Sequence, residues 1–186
     1  MRIIGGKFKG KKIAFIKSNV TRPLRDLVKE NIFNIVAHSN ILNINIDNSK
    51  VLDLYSGIGS FGLECISRNA KKVTFVENNL KASDLLKKNL KNIFSIKNYE
   101  IINLNVTKVI FQIKEKYDIF FLDPPFADDE FISVLKAIKD KKIYNKKNLV
   151  IIHREQNYKE DYSNIFDTFF FKKYGKSKIT FGHFLK

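Results

Sequence analysis

Two stretches of the sequence gather residue types that could do chemistry. The first is Asp123-Pro124-Pro125-Phe126, which closes the run Tyr117-Asp118-Ile119-Phe120-Phe121-Leu122. It offers a carboxylate, a free proline carbonyl and a flat hydrophobic face. The second is a glycine turn in which Gly57, Gly59 and Gly62 match G-x-G-x-x-G. Asp53 stands four residues before Gly57, and Glu77 twenty residues beyond it. Glycines at a strand-to-helix turn let a ligand approach the backbone, and an acid at the end of the next strand can take ribose hydroxyls. Taken alone this is a dinucleotide fingerprint. Two features weigh against a nicotinamide dinucleotide: the chain has no room for a separate substrate domain, and Asp53 precedes the first glycine.

Both stretches need a scaffold that delivers them to one edge. The apolar residues from Ile119 to Leu122 are too few for a helix and are bounded by a breaker pair, so they read as a buried parallel strand. Proline has no N–H for a ladder, so that strand must stop at Asp123. In open α/β sheets ligands bind beyond the carboxyl ends of strands, which puts Asp123 to Phe126 at the functional edge. From Lys50 onward strands and helices alternate. Strands are predicted at 51–55, 72–76, 100–104, 118–122 and 148–152. Helices follow the glycine turn (Phe61, Leu63 and Ile66), span the lysine-rich segment with Leu85, Leu86, Leu90 and Ile93 inward, and cover 106–113 and 131–138. Two closing strands, 166–171 and 178–184, lie close in sequence and read as an antiparallel pair. The pattern predicts an α/β fold with a doubly wound, mostly parallel sheet and one reversed strand near the C-terminus. Residues 39–49, rich in Asn and Ser, read as a loop.

The segment before this core is distinct. Residues 1–20 carry Arg2, Lys7, Lys9, Lys11, Lys12 and Lys17 and no acid. Ile3-Ile4 and the run from Ile13 to Ile16, joined through Gly5-Gly6, read as a small basic ribbon that could touch phosphates; a solvated leader is the plainer alternative. A leading helix is expected over 21–38, with Pro23 near its first turn and Leu24, Leu27, Val28, Ile32, Ile35 and Val36 as one core stripe. The whole, 1–186, reads as a single domain with its core at 50–186.

The net charge of +15 is the loudest feature of the composition. Lysine and arginine gain affinity by displacing counterions from phosphates, so a basic excess this large points to a nucleic-acid partner. An A/T-rich genome writing lysine at neutral surface positions would give the same bias. No apolar run approaches the twenty residues of a membrane span, and the N-terminus lacks the apolar region of a secretory signal. One cysteine, Cys65, excludes an internal disulfide and a cysteine-cluster zinc site. His38, His153 and His183 are scattered and suggest no metal site. Cytoplasm is the expected compartment, and a monomer the expected state.

The Asp-x-x-x-Gly-x-Gly pattern with Glu77 resembles the S-adenosylmethionine (SAM) site of class I methyltransferases, whose fold is Rossmann-like. Asp-Pro-Pro-Phe resembles the loop of methyltransferases that modify exocyclic amino groups of bases. Such an amine is a poor nucleophile because its lone pair is delocalised into the ring. The Asp123 carboxylate and Pro124 carbonyl would accept its hydrogens and aim the lone pair, with Phe126 stacking on the base. The match runs further. Arg2-Ile3-Ile4-Gly5-Gly6 with Lys9-Gly10-Lys11, Thr21-Arg22-Pro23 with Arg25-Asp26, and Glu30 to Asn34 are similar to the opening of the bacterial RsmD family. Tyr55 to Glu64, the Asp123–Phe126 loop and Tyr174-Gly175-Lys176-Ser177 fit that family in order and spacing. Its members are 16S ribosomal RNA guanine-N2 methyltransferases.

The resemblance implies catalytic roles for Asp123, Pro124, Pro125 and Phe126. It implies SAM contacts by Thr21, Arg22, Asp53, Tyr55, Ser56, Gly57, Gly59, Glu77, Asn78, Asn105, Val106 and Asp123. RNA contacts would come from Arg2, Lys7, Lys9, Lys11 and Lys12, and no metal is required. The partner would be 16S rRNA in the small subunit or an assembly intermediate. Methylation of another exocyclic amine, such as adenine N6, shares the loop chemistry. A non-catalytic RNA-binding assembly factor would keep the fold without needing Asp53, Glu77 and Asp123. His153-Arg154 is expected to follow the fifth strand, where it could touch RNA or serve a structural role. Cys65 is expected to pack as a small hydrophobe, and Glu64 to act either on a helix dipole or behind the site.

Overall fold

The computed structural model describes residues 1–15, 24, 26–93, 98–125, 128, 130–157 and 161–185. Thr21, Arg22, Pro23 and Phe126 lie outside them. Helices α1 (Asp26–His38), α2 (Ser60–Ser67), α3 (Leu80–Ile93), α4 (Val106–Gln112) and α5 (Phe131–Lys141) accompany seven strands. The strands are β1 (Lys50–Leu54), β2 (Lys72–Val76), β3 (Tyr99–Ile102), β4 (Tyr117–Leu122), β5 (Tyr144–Glu155), β6 (Asp167–Tyr174) and β7 (Ser177–His183). They form one sheet in the order β3-β2-β1-β4-β5-β7-β6. The first five are parallel; β7 runs antiparallel between β5 and β6. This is the doubly wound sheet with a reversed strand that the sequence predicts, with the order switching direction beside β1 and β4.

The central strands are apolar at nearly every position because both faces are covered. Successive side chains alternate between faces, so the strand residues divide by parity. Val51, Phe75, Ile119, Phe121, Ile151, Ile179 and Phe181 pack in one core with α1, α2 and α3. Leu52, Leu54, Phe120, Leu122, Val150 and Ile152 pack in the other with α4 and α5. On the first face Phe61 of α2 lies between Phe33 of α1 and Phe121 of β4, with ring centroids 5.1 and 4.1 Å away.

Several elements differ from the sequence expectation. The buried face of α1 is Val28, Lys29, Ile32, Phe33 and Val36, and Leu27 is 67% exposed. The apolar stripe is therefore not all core: the helix turns Lys29 inward and Leu27 out. Lys29 can enter because Nζ donates to the Arg2 carbonyl at 2.7 Å and Asp26 stands 3.6 Å away. Burial still pulls its pKa down, against the opposing charges of Glu64 and Asp26. Strand β5 is twelve residues long rather than five, and His153 and Arg154 lie within it, not after it. Two partners make the difference: β7 pairs with β5 as far as Glu155, and β4 pairs with its start at Tyr144.

The N-terminal ribbon is a tight hairpin with one bridge, Arg2 to Lys12, in place of two strands. Backbone bonds from Ile3 to Lys11, Gly10 to Ile3 and Ile13 to Met1 close it. It lies along α2. The Lys29 amine joins Arg2 to Ser60, Ile4 N–H donates to Glu64 Oε2 at 2.8 Å, and Lys7 N–H donates to the Ser67 carbonyl. Glu64, fully buried and paired with Arg68 at 3.0 Å, is thus the hairpin's anchor. Cys65 is buried, as expected, and burial pushes its thiol pKa well up.

Candidate active site

The carboxyl ends of β1, β2 and β4 gather around the order switch with β5 running on beside them, and sheet register decides which residues meet there. Leu54 pairs with Leu122, and Leu122 with Ile152, so the next residues, Tyr55, Asp123 and His153, come side by side. Asp53, Glu77, Asp123 and His153 continue the parity of Phe75, Phe121 and Ile151 on the face that carries α2 and α3.

Asp53 is 1% exposed. Its Oδ2 accepts the Gly62 N–H at 2.9 Å, while Oδ1 is buried with no hydrogen-bond partner among the described residues. Burial pushes the Asp53 pKa well up; the Gly62 bond opposes this, and the charges of Asp123 and Glu77 add to it. Ser56 Oγ is likewise buried with no partner among the described residues. Glu77, nearly buried, accepts the Gly57 N–H through Oε2 and the Asn79 N–H through Oε1, both at 2.7 Å. Gly57 has φ of 55°, and a Cβ there would meet nothing within 4 Å. Gly59, at φ of 83°, is closed in instead: a Cβ would come 2.4 Å from Leu86. One glycine faces open space and the other lets α2 settle against α3.

Four other predicted cofactor residues border the same edge. Tyr55 takes φ of 60° and is half-buried, with the Asp128 charge nearby. Burial first, then the Asp128 charge, holds its pKa far above the usual phenol range. Asn78 is exposed just past β2. On α4, Val106 is buried, and Asn105 caps the helix: its Oδ1 accepts both the N–H and the hydroxyl of Thr107 at 2.8 Å. Only the amide NH2 of Asn105 remains to face a ligand.

The Asp123 loop is held from several sides. Arg154, 1% exposed, donates from Nη1 to the Pro125 carbonyl at 2.9 Å and lies 4.5 Å over the Phe131 ring. Asp128 N–H donates to the same carbonyl at 2.9 Å. Among the described residues none donates to the Pro124 carbonyl. The Asp123 carboxylate meets His153: Nδ1 lies 2.8 Å from Oδ1, and Nε2 lies 2.9 Å from Ser177 Oγ. The sequence marks His153 only as a possible RNA contact or structural residue, and Ser177 only as part of the family-like Tyr174–Ser177 segment, so neither is read from it as a partner of Asp123. The available signal is the parallel register that sets His153 beside Asp123, one residue past the Leu122–Ile152 pair, combined with the family-like Tyr174–Ser177 turn.

The predicted RNA residues lie elsewhere. Arg2, Lys7, Lys9, Lys11 and Lys12 are all exposed. The turn that carries Lys7 and Lys9 is fixed to Ser67 at the end of α2 remote from the glycine turn. Among the described residues no group of His, Cys, Asp or Glu could hold a metal ion, and no helix is long and apolar enough to cross a membrane.

A family model described as "Conserved hypothetical protein 95" matches residues 1–183. Ribosomal RNA small subunit methyltransferase D of Haemophilus influenzae is 40% identical over 129 residues, 68% of this chain and 64% of that one. The chain belongs to the RsmD family. The protein of the same name from Buchnera aphidicola of the pea aphid Acyrthosiphon pisum is 34% identical, over 83% of this RsmD-family chain and 78% of its own. YhhF of Escherichia coli has the same fold, with a TM-score of 0.85 at 26% identity over 100% of this chain and 99% of that one. The family's Rossmann-like sheet is the one observed.

Proposed function

We propose that this RsmD-family chain is a SAM-dependent methyltransferase that methylates the exocyclic N2 amine of a guanine in 16S rRNA. One observation carries the reading. In a chain of net charge +15, the three acids Asp53, Glu77 and Asp123 meet at one sheet edge, and the most buried of them keeps an unpartnered oxygen. A buried carboxylate is costly unless paired, so this edge suits a ligand that brings positive charge and N–H donors. SAM carries an ammonium and a sulfonium; a dinucleotide pyrophosphate would bring more negative charge to the same acids. The residues present fit SAM: Asp53 and the Ser56–Gly57 turn toward its amino-acid end, Glu77 and Asn78 toward the ribose, and Asn105 and Val106 toward the adenine.

When bound, SAM supplies an electrophilic methyl group. The chain's own residues do the rest. Asp123 and the Pro124 carbonyl accept the two hydrogens of the base amine, which turns its lone pair out of conjugation and toward the methyl group. Transfer leaves the nitrogen with one proton too many, and the Asp123 carboxylate takes that proton on its way to solvent. Arg154 keeps the Pro125 carbonyl engaged, so Pro125 meets the base already held. The relatives named for small-subunit rRNA support the choice of RNA, and the basic N-terminal hairpin supports a polyanionic partner.

The test is methyl transfer from labelled SAM to unmodified small-subunit particles, naked 16S rRNA and duplex DNA, followed by nucleoside analysis. N2-methylguanosine from either rRNA sample is expected; N6-methyladenine would overturn the choice of base. Asp123→Ala should bind SAM with near-normal affinity while transfer falls by about 10²-fold or more. Near-normal turnover by that variant would remove Asp123 from the chemistry.

A further inference from the structure

We propose that His153, backed by Ser177, is a positioning residue for the reaction at Asp123, holding one carboxylate oxygen so that the other faces the base amine. The inference rests on the methyl-transfer reading of the Asp-Pro-Pro loop. Asp123 has left the strand: its side chain is 22% exposed, and its backbone N–H reaches the Leu54 carbonyl only at 3.5 Å. A short side chain at such a place can turn about its terminal torsion, which is broad and two-fold for aspartate. An amine aimed at a methyl group tolerates little error, and a misplacement of about 1 Å costs roughly 10²-fold in rate.

The imidazole removes that freedom. Nδ1 lies 2.8 Å from Oδ1, and because a carboxylate only accepts, the ring must carry its proton on Nδ1. Nε2 then meets Ser177 Oγ at 2.9 Å. A hydroxyl both donates and accepts, so this second bond survives whether the ring is neutral or protonated. The His153 side chain is only 12% exposed, which keeps water from replacing either bond. Ser177 is itself fixed: it opens β7, pairs with Glu155, and follows Lys176, whose carbonyl accepts the Gln156 N–H at 2.7 Å. Among the described residues Oδ2 of Asp123 has no partner. The Tyr174–Ser177 turn, which begins 48 residues beyond Phe126 in sequence, thereby becomes part of the site.

The experiment compares His153→Ala, His153→Asn and Ser177→Ala with the parent protein in steady-state methyl transfer. Melting curves would establish that each variant folds. His153→Ala should lose about 10- to 100-fold in kcat, with SAM affinity and the KM for rRNA changed less than about twofold. His153→Asn keeps an N–H near the Nδ1 position and should recover most of the loss; Ser177→Ala should cost a smaller factor, about two- to fivefold. A second readout needs no turnover. The chain has three histidines, so imidazole nitrogen NMR of the free protein should show one ring protonated at Nδ1, and Asp123→Asn should shift that ring alone. Unchanged kcat in His153→Ala, an Asn variant as slow as Ala, or a ring indifferent to Asp123→Asn would each overturn the proposal. Should Asp123→Ala retain its rate while the NMR coupling holds, the catalytic reading of the loop fails and the contact is structural.

Discussion

At the scale of single residues, the site is made of groups that work against the fold. Asp53 is the clearest. Burial raises its pKa, so its ionised form weakens the folded state, and any stability it contributes is fully present only below the ordinary aspartate range. That contribution is lost as pH rises through the elevated folded value. Asp53→Asn should therefore raise Tm at neutral pH, by about 1–2 kcal/mol of stability, and the gain should vanish on acidification. The same variant should lose the stabilisation that SAM gives the parent. Thermal melts with and without SAM across pH check both halves; a variant less stable than the parent at neutral pH would mean Asp53 is satisfied in the free protein. Asp53, Glu77 and Asp123 were legible in the sequence because strand ends, glycines and prolines mark their places. His153 was not, since nothing in a lone histidine after an apolar run says which carboxylate will lie beside it.

At the scale of elements, the strand carries the chemistry and the helices set its limits. Strand alternation placed Asp53, Glu77, Asp123 and His153 on one face, and the helices α2 and α3 close that face from below. The helix stripe was harder to read. Periodicity in α1 does not distinguish Leu27 from Lys29, because the direction in which a helix turns its face depends on its neighbours, here the Arg2 carbonyl and Asp26. Glu64 is similar. Its buried carboxylate holds both Ile4 N–H and Arg68, the latter lying 4.7 Å over the Phe33 ring. Glu64→Ala strands two donors and should cost about 2–4 kcal/mol, whereas Glu64→Gln, which keeps an acceptor, should cost about half as much. Urea unfolding of both variants measures it; equal losses would mean that charge rather than hydrogen bonding secures the hairpin.

At the scale of the whole molecule, a basic protein keeps an acidic edge. The +15 charge favours a polyanion, while the acids at the sheet edge favour a cationic cofactor, so the two ligands are sorted by charge. Lys7 and Lys9 lie beside the far end of α2 and Lys12 bridges Arg2 nearer Ser60, so RNA bound along the hairpin and at Asp123 must follow the face that α2 covers. Reversing Lys9, Lys11 and Lys12 to Glu should weaken rRNA binding and reduce the steepness of its salt dependence by about two to three in log–log slope, with SAM affinity unchanged. Binding measured across a salt series tests this, and an unaltered slope would leave the hairpin as a solvated leader. The sequence by itself determined the order of strands and helices, the place of the glycine turn and the end of the fourth strand. These follow from local rules: alternation, proline's missing N–H, and glycine's positive φ. Only the tertiary structure decided that β5 runs on past Ile152, that Lys29 turns inward, and that Ser177 reaches His153 and so Asp123. Those depend on register between strands far apart in sequence, which no local pattern encodes.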